Sequence, residues 1–383
     1  MSQYQDGASG QFVEQPQWPG VMYVEIWDGV WQTYAVAGLY PATSGAGAYG
    51  VADYPSGNQG WGQPEAGVKP WIGVARLEDH VAQLEEALHH NPLEVLQQLE
   101  PTLAKCCCDP RYRKILEDLL EVADVPARVL ERLRGFLLET SMHPAGCRII
   151  QKLLSVADAR GHQAVAAELR THVAGLVRSS HGNYVVSCFL EKAACEDSFF
   201  IVEELSRCAG DAIRHQYGCR VVQRIMEHFP MEQLGPFRGE VLGNLGELVK
   251  DKYGNFVVQH MLEKGEAADR EAIVEHLLRN IASVAQEKFA SMVAEKALEV
   301  GSTVVCHRMI DASMAGTPQA PVVSMATSRY GNYVVQRMLQ QCPDRADFVA
   351  RLKEIPRLKG FGKHIKATLN KRTGGALPAG HAA

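Results

Sequence analysis

The sequence predicts an all-α solenoid behind a low-complexity tail, and three observations carry that expectation. From about residue 76 the apolar positions recur at helical spacing with no long polar gap. One short segment then returns six times at a nearly constant interval, the signature of stacked supersecondary units. Residues 1–75 show neither feature and are rich in Gly, Tyr, Pro, Gln and Ser.

The tail comes first. Stretches such as ATSGAGAYGVADYPSGNQGWGQP cannot bury enough apolar surface to order themselves, so residues 1–75 are expected to be largely disordered. All five tryptophans lie here, at Trp18, Trp27, Trp31, Trp61 and Trp71. Residues 22–36 are the exception: MYVEIW, Asp28-Gly29 and VWQTYAV have the aromatic and β-branched bias and central Asp-Gly of a tight hairpin. An isolated hairpin is only marginally stable. The alternative role for this piece is docking to a protein partner.

The repeats follow. The recurring segments are HPAGCRIIQKLL, SHGNYVVSCFL, QYGCRVVQRIM, KYGNFVVQHML, KFASMVAEKAL and RYGNYVVQRML. Their equivalent residues Cys147, Asn183, Cys219, Asn255, Ser291 and Asn332 are separated by 36, 36, 36, 36 and 41 positions, the last step holding an insertion. A fainter copy, DPRYRKILEDLLEVAD from Asp109, lies 34 residues before HPAGCRIIQKLLSVAD. DHVAQLEEAL from Asp79 reads as a degenerate first repeat or a cap. The expected organisation is a repeat domain over 76–372, degenerate over about 76–125, regular over about 135–345 and capped over about 346–372, with a disordered end at 373–383.

Within one unit Val185, Val186, Phe189 and Leu190 form a single helical stripe, and Val257, Val258, Met261 and Leu262 repeat it. One unit cannot bury that stripe alone. Stacking makes a continuous core and sets equivalent helices side by side along one face.

Composition limits what that face can bind. The net charge of −5 argues at first against nucleic acid, but residues 1–139 hold 9 basic and 19 acidic side chains while 140–383 hold 30 and 25. An anionic ligand therefore belongs on the C-terminal part, with affinity drawn from stacking and hydrogen bonds as well as charge. The ten cysteines include Cys106, Cys107 and Cys108 but form no Cys-x-x-Cys pair or zinc-type array, so reduced thiols and no metal or cofactor are expected. No membrane-length apolar run is present, and MSQYQDGASG lacks a signal-peptide pattern, so a cytoplasmic location is expected. No nucleophile–base signature or phosphate loop suggests an enzyme, and His181 and His260 fall at repeat positions suited to packing or ligand contact.

The opening of each repeated helix carries the functional signal. The first residue of each, named above, and the fifth, Gln151, Ser187, Gln223, Gln259, Glu295 and Gln336, lie one turn apart on one face. They are expected to point outward, opposite the valines. The second residues are Arg148, Tyr184, Arg220, Phe256, Met292 and Tyr333, mostly planar groups that can stack on a base. Solvated surface on an armadillo-like, protein-binding scaffold would explain one such triplet. Six copies that keep polar, planar, polar within narrow chemical sets instead match unpaired RNA bases laid along a ladder.

At these residues the sequence closely resembles the Pumilio family, whose Tyr-Gly-Asn-Tyr-Val-Val-Gln segments open the RNA-facing helix of each repeat. The resemblance spans roughly 105–372 and includes Phe361-Gly362-Lys363-His364-Ile365, similar to the Tyr-Gly-Lys-His-Ile of the family's closing helix. It makes Asn332, Tyr333 and Gln336 the eighth repeat, Cys147 the third and Arg113 the second. It implies a right-handed superhelical crescent of about eight three-helix repeats, with RNA antiparallel on the concave face and its 5′ base at the C-terminal repeat.

The family's code pairs Asn plus Gln with uracil, Ser plus Glu with guanine, and Cys or Ser plus Gln with adenine. A carboxylate such as Glu295 only accepts, which suits guanine's N1–H and N2–H₂ donors. The resemblance thus implies U at Asn332/Gln336, G at Ser291/Glu295, U at Asn255/Gln259, A at Cys219/Gln223 and A at Cys147/Gln151. Asn183 with Ser187 departs from the code, so a weakly specified base is expected there. Arg113, Lys114 and Glu117 match nothing in it; the two cations would touch phosphate or form surface ion pairs. The implied ligand is single-stranded mRNA containing 5′-UGUANA in a 3′ untranslated region. The implied output is translational repression or mRNA decay by a monomer, through deadenylation or repression partners. A nucleolar ribosome-assembly relative is the alternative within the family, and its less regular code fits these repeats poorly.

Overall fold

The computed structural model describes residues 21–25, 31–35, 74–316, 320–355 and 362–373. The chain separates into two compact units, Met1–Pro70 and Trp71–Ala383.

In the first unit, strands β1 (Val21–Glu25) and β2 (Trp31–Ala35) pair antiparallel. The hairpin expected from the sequence is present, but its register is not that of a two-residue turn. Glu25 faces Trp31, whereas an Asp28-Gly29 turn would set it opposite Gln32. The connection is therefore odd-numbered. Residues 26–30 and the remainder of the tail, where disorder is expected, fall outside the described residues, as do 374–383.

The second unit is an all-α solenoid. Its inner row contains, in order, Val74–Leu88, Arg113–Leu119, Gly146–Val156, Gly182–Lys192, Gly218–His228, Gly254–Lys264, Lys288–Val300, Gly331–Gln341 and Lys363–Thr373. Each packs against the next. From the third repeat onward a short helix precedes each inner helix and a longer one follows it, as in Leu137–Met142, Gly146–Val156 and Ala159–Leu169. DHVAQLEEAL thus belongs to a helix that opens the stack, and Ile365 is buried in the helix that closes it. Among the described residues no helix is long and apolar enough to cross a membrane.

The repeat interval exists because each stripe needs its neighbour. Val185, Val186, Phe189 and Leu190 are buried, as are Val257, Val258, Met261 and Leu262. The glycine opening most inner helices is set by close approach to the preceding short helix. A Cβ on Gly218 would stand 2.4 Å from the Ala212 carbonyl oxygen, and one on Gly146 2.5 Å from that of Thr140. Repeats are also latched polarly. The Glu168 carboxylate accepts from the Gly135 and Leu137 amides, and Glu204 accepts from Thr171 and Val173. These carboxylates hold two turns whose leading residues have φ of 78° and 67°. A lateral ladder of ion pairs couples successive repeats: Lys152 to Glu121, Arg224 to Glu191 at 3.4 Å and Lys296 to Glu263 at 2.7 Å, while His260 Nε2 stands 3.7 Å from Glu227. Exposed pairs stabilise little one by one. They do place Lys152, Arg224 and Lys296 beside carboxylates along the inner row, which offsets part of its positive charge.

Candidate nucleic-acid interface

Five of the six inner helices from the third repeat to the eighth start on a polar knot; that of the seventh repeat, with Glu287 at the equivalent position, has no side-chain cap. Four residues before the first position stand His143, Ser179, His215, Asp251 and Ser328, and each side chain accepts backbone N–H groups that begin the helix. Asp251 Oδ1, for example, accepts from the Tyr253 and Gly254 amides at 2.9 and 2.6 Å. Such acceptors satisfy the orphan amides of a helix start. Sequence reasoning missed these five residues, although they recur with the repeat.

The first-position residues do not point outward as the helical periodicity suggests. Cys147, Asn183, Cys219, Asn255, Ser291 and Asn332 are all buried, at no more than 4% exposure. Their polar atoms turn back to the knot. Nδ2 of Asn183, Asn255 and Asn332 donates to the carbonyl oxygens of Ser179, Asp251 and Ser328 at 2.8, 2.8 and 3.0 Å. Ser291 Oγ donates to the Lys288 carbonyl, and the two thiols donate to those of Pro144 and Gln216. The reason is tertiary: the first turn sits under its own entry loop, so a face that is outward on an isolated helix becomes a floor.

The fifth-position residues Gln151, Ser187, Gln223, Gln259, Glu295 and Gln336 are half-buried. Their contacts sort by repeat. In the Asn/Gln repeats the amides bond each other, Gln259 Nε2 to Asn255 Oδ1 at 2.8 Å and Gln336 Nε2 to Asn332 Oδ1 at 3.0 Å. In the Cys/Gln repeats the glutamine donates instead to the carbonyl of Cys147 or Cys219, at 2.9 and 3.0 Å. Burial pushes the Glu295 carboxyl above the ordinary carboxylate range, against the opposing pull of Arg337. Burial likewise raises the Cys219 thiol to about 11 and raises Cys147, so both are neutral thiols at neutral pH.

The second-position residues stand over this floor and are exposed: Arg148, Tyr184, Arg220, Phe256, Met292 and Tyr333. Four of the six, Tyr184, Phe256, Met292 and Tyr333, are large apolar groups left in solvent in register, a patch that asks for a ligand. Arg148 and Tyr184 close on each other, with the guanidinium carbon 5.3 Å from the ring centroid. A base held between them needs roughly 6.8 Å, two stacking rises of about 3.4 Å. Beside the row stand three exposed cations that the sequence reading also missed. Lys252, Lys288 and Arg329 each lie over the next residue's ring, Tyr253, Phe289 or Tyr330, at 5.1, 5.1 and 5.5 Å.

The second repeat differs. Arg113 is exposed and pairs with Glu117 at 2.7 Å, in the manner of a surface salt bridge, while Lys114 is exposed. His260 is buried beside Glu227, and half-buried His181 has its imidazole pKa lowered by burial, so both rings are neutral at pH 7.

A Pumilio-family RNA-binding repeat profile matches residues 137–169, 172–206, 213–240, 244–278 and 321–346. No curated protein matches the chain by sequence. Among solved structures, PUF-8 in complex with PBE-RNA is similar at TM-score 0.70 and 27% identity, over 77% of this chain and 90% of that one. The Puf4 RNA-binding domain bound to an HO endonuclease 3′ UTR sequence is similar at 0.69 and 24%, over 76% and 95%. Yeast Puf5p bound to SMX2 RNA shares the fold at 0.60 and 16%, over 77% and 94%.

Proposed function

Since the chain carries Pumilio-family RNA-binding repeats, we propose that it binds single-stranded mRNA sequence-specifically, reading 5′-UGUANA with its 5′ base at the eighth repeat. The observation that carries this is the register of six stacked helices, each with a buried small polar residue, an exposed planar or long side chain and a half-buried polar group. Bases stack between successive second-position side chains. Their edges meet the fifth-position groups and, behind them, the first-position groups.

The hydrogen bonds inside each pair supply the chemistry. Gln259 and Asn255 now satisfy each other, so uracil must exchange that bond for two of its own. Uracil, with an N3–H donor beside carbonyl acceptors, completes the exchange without leaving an amide unpaired. Glu295 offers acceptors alone and selects guanine. The Arg148–Tyr184 contact must open before the fifth base enters, and Ser187 gives that base no long polar partner, which supports a tolerant position there. Lys252, Lys288 and Arg329 line the path of the phosphates. By family, the output is repression or decay of the bound mRNA in the cytoplasm, through recruited protein partners.

The test is titration of the full chain with UGUANA and ACACNA oligonucleotides at one stated salt concentration. Preference for UGUANA by at least tenfold is expected; equal affinity refutes the reading. Selection from a random RNA pool would then give the preferred base at each repeat.

A further inference from the structure

We propose that the junction of the seventh and eighth repeats is a transition-metal site of the zinc class, formed by His307, Cys342 and Asp344. His307 lies in the outer helix Thr303–Met314 of the seventh repeat, Cys342 caps the inner helix Gly331–Gln341 of the eighth, and Asp344 follows in the next turn. One ligand atom from each lies within 4.8 Å of the other two. His307 Nε2 is 3.4 Å from the Asp344 carboxylate. Ligands at about 2.0–2.3 Å from a tetrahedral zinc stand roughly 3.3–3.8 Å apart, so binding asks for about an ångström of closure.

Two further facts favour a ligand. His307 Nε2 is a buried nitrogen with no hydrogen-bond partner. A buried polar atom left unpaired is costly, and coordination would satisfy it. The donor set of one thiolate, one imidazole and one carboxylate also suits zinc, with a fourth position left for water or a neighbouring thiol. Cys306, next to His307, hydrogen-bonds toward the Met338 carbonyl, and its thiol contacts Cys342. The charge balances as well: thiolate and carboxylate offset a divalent ion, and adjacent Arg345 is already held by Asp311 and Asp347 at 2.7 and 2.8 Å.

Access is from solvent. Cys342 is fully buried, but Asp344 is exposed and His307 half-exposed, so the metal enters over them and binds the thiol beneath. Because the ligands come from two repeats, the ion would clamp the repeats that read the first two bases. Their sequence separation of 35 and 2 residues resembles no zinc motif, which is why the cluster is invisible until the helices stack.

The experiment uses the full chain, stripped with a chelator and kept reduced with a phosphine, then titrated with Co²⁺ and with Zn²⁺ against a chromophoric competitor. Wild type should develop a thiolate-to-cobalt charge-transfer band that Zn²⁺ bleaches, and should melt higher with Zn²⁺ present. His307→Ala and Asp344→Ala, both at exposed or half-exposed positions, should weaken Co²⁺ binding at least tenfold while melting as the stripped wild type does. Cys342→Ser should lose the band, whereas Cys195→Ser, at an exposed cysteine elsewhere, should keep it. A wild type without the band, or a band that survives Cys342→Ser or is unaffected by both alanine variants, overturns the proposal.

Discussion

Replacing Ser291 and Glu295 with Asn and Gln asks whether two side chains carry the identity of one base. The structure indicates how the new pair should sit. Asn255 reaches the carbonyls of Asp251 and Lys252 at 2.8 and 3.0 Å, and Gln259 reaches Asn255 Oδ1 at 2.8 Å. The corresponding carbonyls in the seventh repeat are those of Glu287 and Lys288, and Ser291 already bonds both, through its amide and its hydroxyl. The second-base preference should therefore pass from G to U. With about 1–3 kcal/mol lost per wrong base, reversal moves the G-over-U difference by about 2–6 kcal/mol, a change of roughly 30-fold to 10⁴-fold in the affinity ratio. Ser291 is only 3% exposed, so the larger Asn costs stability of about 1 kcal/mol, partly offset by removing a carboxylate that burial disfavours. Affinities for UGUANA and UUUANA, with a melting curve for each protein, decide it. A folded double variant that still prefers G, or binds neither RNA, would falsify modular reading.

Four further outcomes are expected. Ser187→Gln should let the new amide reach Asn183, whose Nδ2 is already anchored like that of Asn255; a fifth base as indifferent as in wild type, across all four nucleotides, would mean the RNA bypasses this repeat. Burial holds the His143 and His215 imidazoles below their ordinary range, and each accepts helix-opening amides through Nδ1. With folded pKa values depressed below about 6.5, their stabilisation is complete above that pH and lost as pH falls beneath it. Melting temperature should drop on acidification, less steeply in the His143→Asn/His215→Asn variant; identical slopes would remove these rings as the cause. Gly218→Ala places a methyl 2.4 Å from a backbone oxygen and should cost about 1–3 kcal/mol in denaturant unfolding, whereas Gly239→Ala, with nothing near, should not. Deleting residues 1–70 should leave base preference unchanged, and an altered selected motif would place the tail in recognition.

Much was legible in one dimension. The interval from Cys147 to Asn332, the valine stripes and the alternation of polar and planar residues depend only on helical periodicity and on each repeat's need for a partner. They specified a stacked all-α array and the side chains lining it. The interval alone could not say how deep those side chains lie. A helical wheel puts Asn255 and Gln259 on one face, yet the entry loop folds over the first turn, so Asn255 is buried and Gln259 half-buried. The wheel is equally silent about the acceptors at His143 and Asp251, which act on a helix they precede, and about which basic residues the lateral ladder sets beside carboxylates. The hairpin register turned on an odd-numbered connection that the Asp-Gly pair does not encode. Only stacking placed His307 of one repeat against Cys342 and Asp344 of the next, because helix packing brings together residues that have no local relation in the chain.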